Sequence, residues 1–119
     1  MTPRIRDIRI VNHRLDPHET ELRVFVTVET ATPDTEARGR LVGPRSVKAS
    51  TIEISYPLRL VDRNRDESQT TFELRVVIPE ANWWSPEQPF VYEGPVEIWQ
   101  DGKVVEQRAI SHGIIARQT

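Results

Sequence analysis

The sequence of 119 residues contains no cysteine. This absence excludes disulfide bonds, thiol nucleophiles, cysteine-based zinc sites and iron–sulfur clusters, and it leaves the redox compartment open. A charge excess of either sign is also missing, because 16 Lys and Arg residues nearly balance 18 Asp and Glu residues, for a net charge of −2. Since affinity for phosphate polymers comes from concentrated positive charge, we expect no nucleic-acid partner.

Long apolar stretches are missing as well. The uninterrupted apolar runs are far shorter than the roughly 20 residues that cross a bilayer as a helix. No apolar segment follows the basic residues near Met1, as the pattern of a signal peptide requires. We therefore expect no membrane partner, and the localisation stays unassigned. An apolar fraction of 37% still suffices for a folded core, and the length fits one domain over residues 1–119.

What the sequence does contain is an alternation of apolar and polar residues, which predicts β-strands with one buried face each. The alternation is clearest at residues 22–29, 51–60 and 71–78, and weaker runs lie at 5–11, 38–42, 90–99 and 104–115. About seven antiparallel strands of this kind favour an immunoglobulin-like β-sandwich, here without a disulfide. A closed barrel buries alternate residues in the same way and stays an alternative.

Turn residues separate these runs. Asp101 and Gly102 lie between two extended runs and predict a tight hairpin, because both central residues of the favoured turn need positive φ. The Gly-Pro pair at 43–44 is expected to interrupt the strand before the run that starts at Ser46. Residues 62–69 are expected to form a charged loop. The Gly-Pro pair at 94–95 predicts a bulge or an edge strand, because proline donates no hydrogen bond to the ladder.

The most distinctive segment of the sequence contains two tryptophans and two prolines. Pro86 and Pro89 fix φ and lack an N–H group, so they predict a stiff loop that cannot join a sheet. Trp84 is expected to cap one end of the core with its indole N–H near water, and Tyr92 to begin the next strand pointing inward.

Two further tryptophans are candidates for a contact surface. Adjacent residues of an extended segment point to opposite sides, so burial of Trp84 would leave Trp83 exposed to a sugar or a protein. Trp99 follows apolar Ile98 and is therefore expected on the outer face of its strand, where it would mark a packing surface.

The tryptophan–proline segment carries a family resemblance. Residues 84–92 read W-S-P-E-Q-P-F-V-Y, and residues 96–106 read V-E-I-W-Q-D-G-K-V-V-E. They resemble the end of the immunoglobulin-like domain of family 2 glycoside hydrolases, the β-galactosidase, β-glucuronidase and β-mannosidase group. There, a W-S/T-P-x-x-P-x-L-Y phrase precedes a strand of the type V-E-L-x-x-D-G-K-V-V-D. Gly113 lies where the closing F-G-x-R motif of those domains has its glycine, whereas His112 and Ile115 depart from its Phe and Arg.

The resemblance implies a non-catalytic accessory domain in a carbohydrate-degrading enzyme. Such a domain would act as a structural spacer, and its partners would be neighbouring domains of a glycosidase or another protein surface. The acid/base and nucleophile glutamates of the family lie in its catalytic barrel. The resemblance therefore assigns no catalytic residue to this chain.

Catalytic chemistry is not apparent from the residues themselves. Glu53, Glu73 and Glu97 alternate with apolar residues, so we expect them on solvated strand faces rather than in the carboxyl pair that glycoside hydrolysis uses. The histidines lack the spacing of zinc ligands, and the scattered glycines form no phosphate-binding loop. We expect no catalytic residue, no metal and no cofactor.

Three other functions stay open at this point. The chain could be a stand-alone carbohydrate-binding module that uses Trp83. It could be an adhesion or assembly module that pairs through an edge strand or through the Trp99 face. An enzyme that acts alone is the remaining alternative.

Overall fold

The computed structural model describes residues 2–115 and contains seven β-strands and no helix within that range. The strands are β1 (Arg4–Arg14), β2 (Glu19–Glu29), β3 (Glu36–Arg45), β4 (Ile54–Asp66), β5 (Gln69–Pro79), β6 (Val91–Gln100) and β7 (Lys103–His112). They form one sheet in the order β1-β2-β5-β4-β3-β6-β7, and every neighbouring pair is antiparallel. The predicted all-β class with antiparallel strands is confirmed.

The sheet is a half-barrel that curls around one core. Buried side chains from β1, β2 and β5 belong to the same cluster as those from β3 and β6. Between residues 2 and 115, no backbone ladder joins the edge strands β1 and β7, so the barrel is not closed. The core is therefore enclosed by the curvature of a single open sheet.

The β2–β5 pair forms the centre of this core. Their ladder is unbroken from Glu19 opposite Pro79 to Glu29 opposite Gln69. The inner face alternates strictly with the outer one, and its side chains are buried: Leu22, Val24, Val26, Val28, Phe72, Leu74, Val76 and Ile78. Burial of each such side chain stabilises the fold by about 1.5–3 kcal/mol relative to exposure. The sequence alternation that predicted β2 and β5 thus corresponds to one continuous buried apolar face.

Strand β4 takes part in both halves of the sheet. Residues 54–58 pair with β3, whereas residues 59–66 pair with β5. The predicted strand at 51–60 and the predicted loop at 62–69 are both wrong in their bounds. The strand begins at Ile54, and the charged residues continue it to a two-residue turn at Glu67, whose φ is 50°. Leu58 is buried, but Ile52 is 88% exposed, because no layer covers the start of this run.

The two Gly-Pro pairs lie inside strands. β3 continues through the cis Gly43–Pro44 bond to Arg45, so the predicted break is wrong. β6 is an interior strand whose pairing with β7 continues through residues 94–95, so neither an edge nor a bulge forms at that point. The glycine is needed there because a Cβ at Gly94 would collide with the carbonyl oxygen of Arg40. On the β3 side, ladder pairs lapse between Val96 and Glu93, where proline has no N–H to donate.

The β6–β7 hairpin has the predicted form. Asp101 and Gly102 have φ values of 53° and 75°, and they alone separate the two strands. Both residues are in the left-handed region that this turn requires. The hairpin prediction is confirmed.

Side chains join the two edge strands where the backbone ladder does not. The Glu106 carboxylate accepts a hydrogen bond from the Ile5 N–H, and Arg108 donates to the Ile5 carbonyl over 3.1 Å. Farther along, His112 Nε2 lies 2.7 Å from Asn12 Oδ1, and burial lowers the pKa of this histidine. Polar residues on the inner side of β7 therefore occupy the open side of the half-barrel.

Candidate functional site

Trp83 follows β5 and packs against the core. It is half-buried, and its indole N–H donates to the buried Thr20 hydroxyl over 3.0 Å. The expectation of an exposed Trp83 beside a buried Trp84 is therefore not met, because both are half-buried and Trp83 is the one on the core cluster. The direction in which the loop leaves β5 decides this, and the sequence pattern does not encode it. A sugar or partner contact at Trp83 stays a prediction.

Trp84 is held against the end of the chain that follows β7. Its backbone N–H donates to the Ile114 carbonyl over 2.7 Å. The indole lies on the backbone of Gly113, where an added Cβ would be 2.9 Å from Trp84 Cδ1. A residue without a side chain at 113 is what allows this contact. One side of the Trp84 ring is thus covered by the protein.

Tyr92 anchors the start of β6. It is buried, and its hydroxyl accepts a hydrogen bond from the Asn82 N–H over 2.9 Å. Its ring meets Tyr56 edge to face with the centroids 6.3 Å apart, and burial raises its pKa. The buried Tyr92 ring therefore holds the β5–β6 connection against the core through this hydrogen bond.

The segment with the two prolines forms a compact turn. Ser85 and Gln88 exchange backbone hydrogen bonds of 3.0 and 3.1 Å, with Pro86 between them. Pro89 then directs the chain into β6. Because proline fixes φ, this turn presents Trp84 and Pro89 on a stiff frame.

A groove of about 610 Å³ lies between this turn and the β3–β4 connection. Its apolar side is formed by Trp84, Pro89 and Val91. Lys48 of the β3–β4 connection donates to the Pro86 carbonyl over 3.2 Å and so links the connection to the turn. The β3–β4 connection supplies the opposite wall: Ser46, Val47, Ala49, Ser50, Thr51 and Glu53.

The polar wall of the groove is an ion-pair cluster. Arg45 Nε is 3.0 Å from Glu53 Oε1, and Arg45 Nη1 is 3.6 Å from Glu93 Oε1. The hydrogen bond to Glu53, with the charge of both carboxylates, raises the pKa of Arg45, which stays charged. Sequence reasoning singled out Glu53 only as a solvated residue and missed Arg45 and Glu93. Arg45 meets Glu93 through the register of β3 against β6, and Glu53 reaches it from the β3–β4 connection. The sequence carries no signal for either approach.

Comparison with protein-family models shows which family the chain belongs to. The family model described as glycosyl hydrolases family 2 matches residues 4–114. The chain belongs to this family. The matched part is its immunoglobulin-like domain region. A comparison with curated proteins gave no match.

Trp99 of this family 2 domain lies on the outer face of β6. Buried Ile98 precedes it, the Arg38 guanidinium stacks 4.3 Å from its ring centroid, and its N–H donates to Glu97 over 3.2 Å. The outer-face position follows the predicted alternation. A partner contact at Trp99 stays a prediction.

The most perturbed carboxyl of the family 2 domain lies outside the groove. Hydrogen bonds from Arg75 and Arg23, opposed by burial, lower the pKa of Glu21 on β2 from 4.5 to about 2. A general acid in glycoside hydrolysis needs the opposite shift.

Within residues 2–115, no three His, Asp or Glu side chains gather as metal ligands would. No helix in the described part of the chain has the length and apolar character needed to cross a bilayer.

Proposed function

We propose that this family 2 domain is a non-catalytic accessory module that spaces and packs neighbouring domains of a carbohydrate-degrading enzyme. The family match over residues 4–114 carries the proposal. Those residues form antiparallel strands in one curled sheet. A catalytic barrel of parallel strands and helices typically takes about 250 residues. The catalytic work would belong to another part of the enzyme.

The strand order supports an immunoglobulin-like interpretation of the curled sheet. The order β1-β2-β5-β4 corresponds to strands A-B-E-D, and β3-β6-β7 corresponds to C-F-G. Tyr92 near the start of β6 bonds through its hydroxyl to the Asn82 backbone N–H, ten positions upstream. The tyrosine corner of immunoglobulin-like domains has a tyrosine at the same place in strand F, with a bond that spans only a few residues. In this interpretation the two layers of a sandwich stay connected through β4.

The first test is hydrolysis by the purified chain. With nitrophenyl β-galactoside, β-glucuronide and β-mannoside we expect no more release of nitrophenol than from a mock purification. Hydrolysis that exceeds the mock purification and falls in Glu53→Gln or Glu93→Gln would overturn the non-catalytic assignment.

The second test addresses the spacer role. We expect that a family 2 hydrolase whose immunoglobulin-like domain is replaced by this chain keeps more soluble, active enzyme than the same hydrolase with that domain deleted. An unrelated β-sandwich of similar length is the control insert. Equal loss with this chain and with the control insert would count against a family-specific packing role.

A further inference from the structure

The groove beside Trp84 combines a fixed aromatic ring with polar groups of both signs. The Trp84 backbone N–H donates to the Ile114 carbonyl, the indole packs against Gly113, and Trp84 lines the groove. A ring that is held in place before a ligand arrives loses little conformational entropy on binding. The groove is therefore built for a flat apolar surface on one side.

The polar wall of the groove offers hydrogen-bond acceptors and donors side by side. Glu53 and Glu93 contact Arg45 through their Oε1 atoms, and all three side chains remain about two-fifths exposed. Hydrogen bonds to charged groups of this kind are stronger than those between neutral groups. Ser46, Ser50 and Thr51 add hydroxyl-bearing residues to the same wall.

The charged side chains that line the groove are of both signs. Arg45 is positive and Glu53 and Glu93 are negative, so the formal sum of the lining is −1. Lys48, which donates to the Pro86 carbonyl beside the groove, adds a positive charge nearby. A charged ligand of either sign meets a like charge here, whereas an uncharged ligand with many hydroxyl groups can use both signs.

We propose that this groove binds a neutral saccharide. The C–H face of a pyranose ring would lie on Trp84 and Pro89, and its hydroxyl groups would donate to Glu53 and Glu93 and accept from Arg45. The volume of about 610 Å³ lies within the range of small-molecule sites. The proposal rests on the geometry of this groove, and it does not depend on the spacer role.

A protein partner is the competing occupant, because Val47 on the rim is 95% exposed. The groove lining itself favours the saccharide. Its centre holds carboxylates, a guanidinium and hydroxyl-bearing residues, whereas the core of a protein interface is depleted in charged residues.

The indole N–H signals of the three tryptophans test the proposal in the unmodified protein. We expect titration with cellobiose, lactose and mannobiose to shift the Trp84 signal, with dissociation constants on the order of 1 mM. The Trp83 and Trp99 N–H groups are bonded to Thr20 and Glu97 and should not shift. Glycerol at equal hydroxyl concentration is the control for nonspecific effects. No Trp84 shift, or equal shifts in all three signals, would overturn the saccharide site.

A matched pair of variants tests the polar wall. Glu53→Gln should weaken saccharide binding by about tenfold, since a charged acceptor is lost. Glu36→Gln removes another arginine-paired carboxylate, bonded to Arg38 over 3.1 Å outside the groove, and should leave the affinity unchanged. Equal affinities of the two variants would contradict the assignment. Failure here leaves the hydrolysis and replacement tests of the spacer role unaffected, so the two proposals fail separately.

Discussion

The two ends of the half-barrel are closed by different chemistry. At the tryptophan end, defined by Trp83, Trp84 and Tyr92, large rings cover the core. Trp83 and Tyr92 each form one hydrogen bond through the ring substituent, whereas Trp84 bonds through its backbone N–H. At the threonine end, defined by Thr32, Thr35, Arg63 and Gln100, the cover is a polar network. One apolar core is thus covered at one end by aromatic rings and at the other by a hydrogen-bonded polar network.

The threonine end depends on every member of its network. Buried Thr35 receives a hydrogen bond from the Thr32 N–H over 2.9 Å and bonds to the Gln100 side chain. Arg63 reaches across from β4, donates to the Thr35 carbonyl over 2.7 Å and lies 4.9 Å from the Phe72 ring centroid. A polar network of this kind is stable only when its groups are satisfied together. We therefore expect the tryptophan end to depend on volume and the threonine end on hydrogen bonds.

The largest effect should come from removing volume at the tryptophan end. Tyr92→Ala should lower the free energy of unfolding by about 3–5 kcal/mol, because it leaves a cavity beneath the β5–β6 connection. Tyr92→Phe keeps the ring and loses one hydrogen bond to the exposed Asn82, so it should cost about 1 kcal/mol. Urea denaturation measures both. Equal costs would mean that this end depends on its hydrogen bond after all.

Next in size is the loss of the guanidinium at the threonine end. Arg63→Met keeps an apolar stem over Phe72 but strands the carbonyls of Thr32 and Thr35, at a cost of about 2 kcal/mol. Arg65→Met, on the same exposed strand, should cost less than about 0.5 kcal/mol. Thermal unfolding of the two variants gives the comparison. A loss of similar size in both would show that only charge, and not the network, is involved.

Acid should weaken the domain through the ion pairs that Glu21 makes with Arg23 and Arg75. The folded-state pKa of Glu21 is about 2 against an ordinary 4.5, so its stabilising contribution is complete above pH 4.5 and is lost as the pH falls toward 2. We expect a decrease of about 2 kcal/mol over this window. Urea unfolding at both pH values measures the decrease, and Glu21→Gln should flatten it. An unchanged slope in that variant would refute the role of Glu21.

The smallest predicted effects come from one isosteric change at each end. Thr35→Val strands the Thr32 N–H and the Gln100 side chain and should cost about 1.5 kcal/mol. Thr20→Val removes the acceptor of the half-buried Trp83 N–H, which can turn to water, and should cost about 0.5 kcal/mol. Denaturant midpoints of the two variants rank them. A larger cost for Thr20→Val than for Thr35→Val would contradict the view that the threonine end depends more on hydrogen bonds than the tryptophan end does.

The sequence predicted the elements whose burial is continuous along the strand. β2 and β5 alternate because one face is covered throughout, and the β6–β7 turn is specified by the backbone preferences of Asp101 and Gly102. β4 was misplaced because only Leu58 of its apolar residues is buried, so its alternation carries little information about where it pairs.

The groove lay beyond prediction for a different reason. Arg45, Glu53 and Glu93 come from separate segments, and a register shift between Val42 and Arg45 sets their approach. Two adjacent tryptophans likewise carry no signal for which one faces the core. The direction in which the loop leaves β5 decides this, and the Trp84 backbone N–H then bonds to the distant Ile114 carbonyl. Local pattern therefore specifies strands here, whereas the site depends on contacts between distant segments.

Strand β4 has a consequence for how the domain comes apart. Because its first residues pair with β3 and its later residues pair with β5, neither half can separate from the other without disrupting this strand. A fold whose halves share a strand in this way should melt as one cooperative unit, with equal calorimetric and van't Hoff enthalpies. The shared strand thereby makes the whole molecule, rather than each layer, the unit of thermodynamic stability.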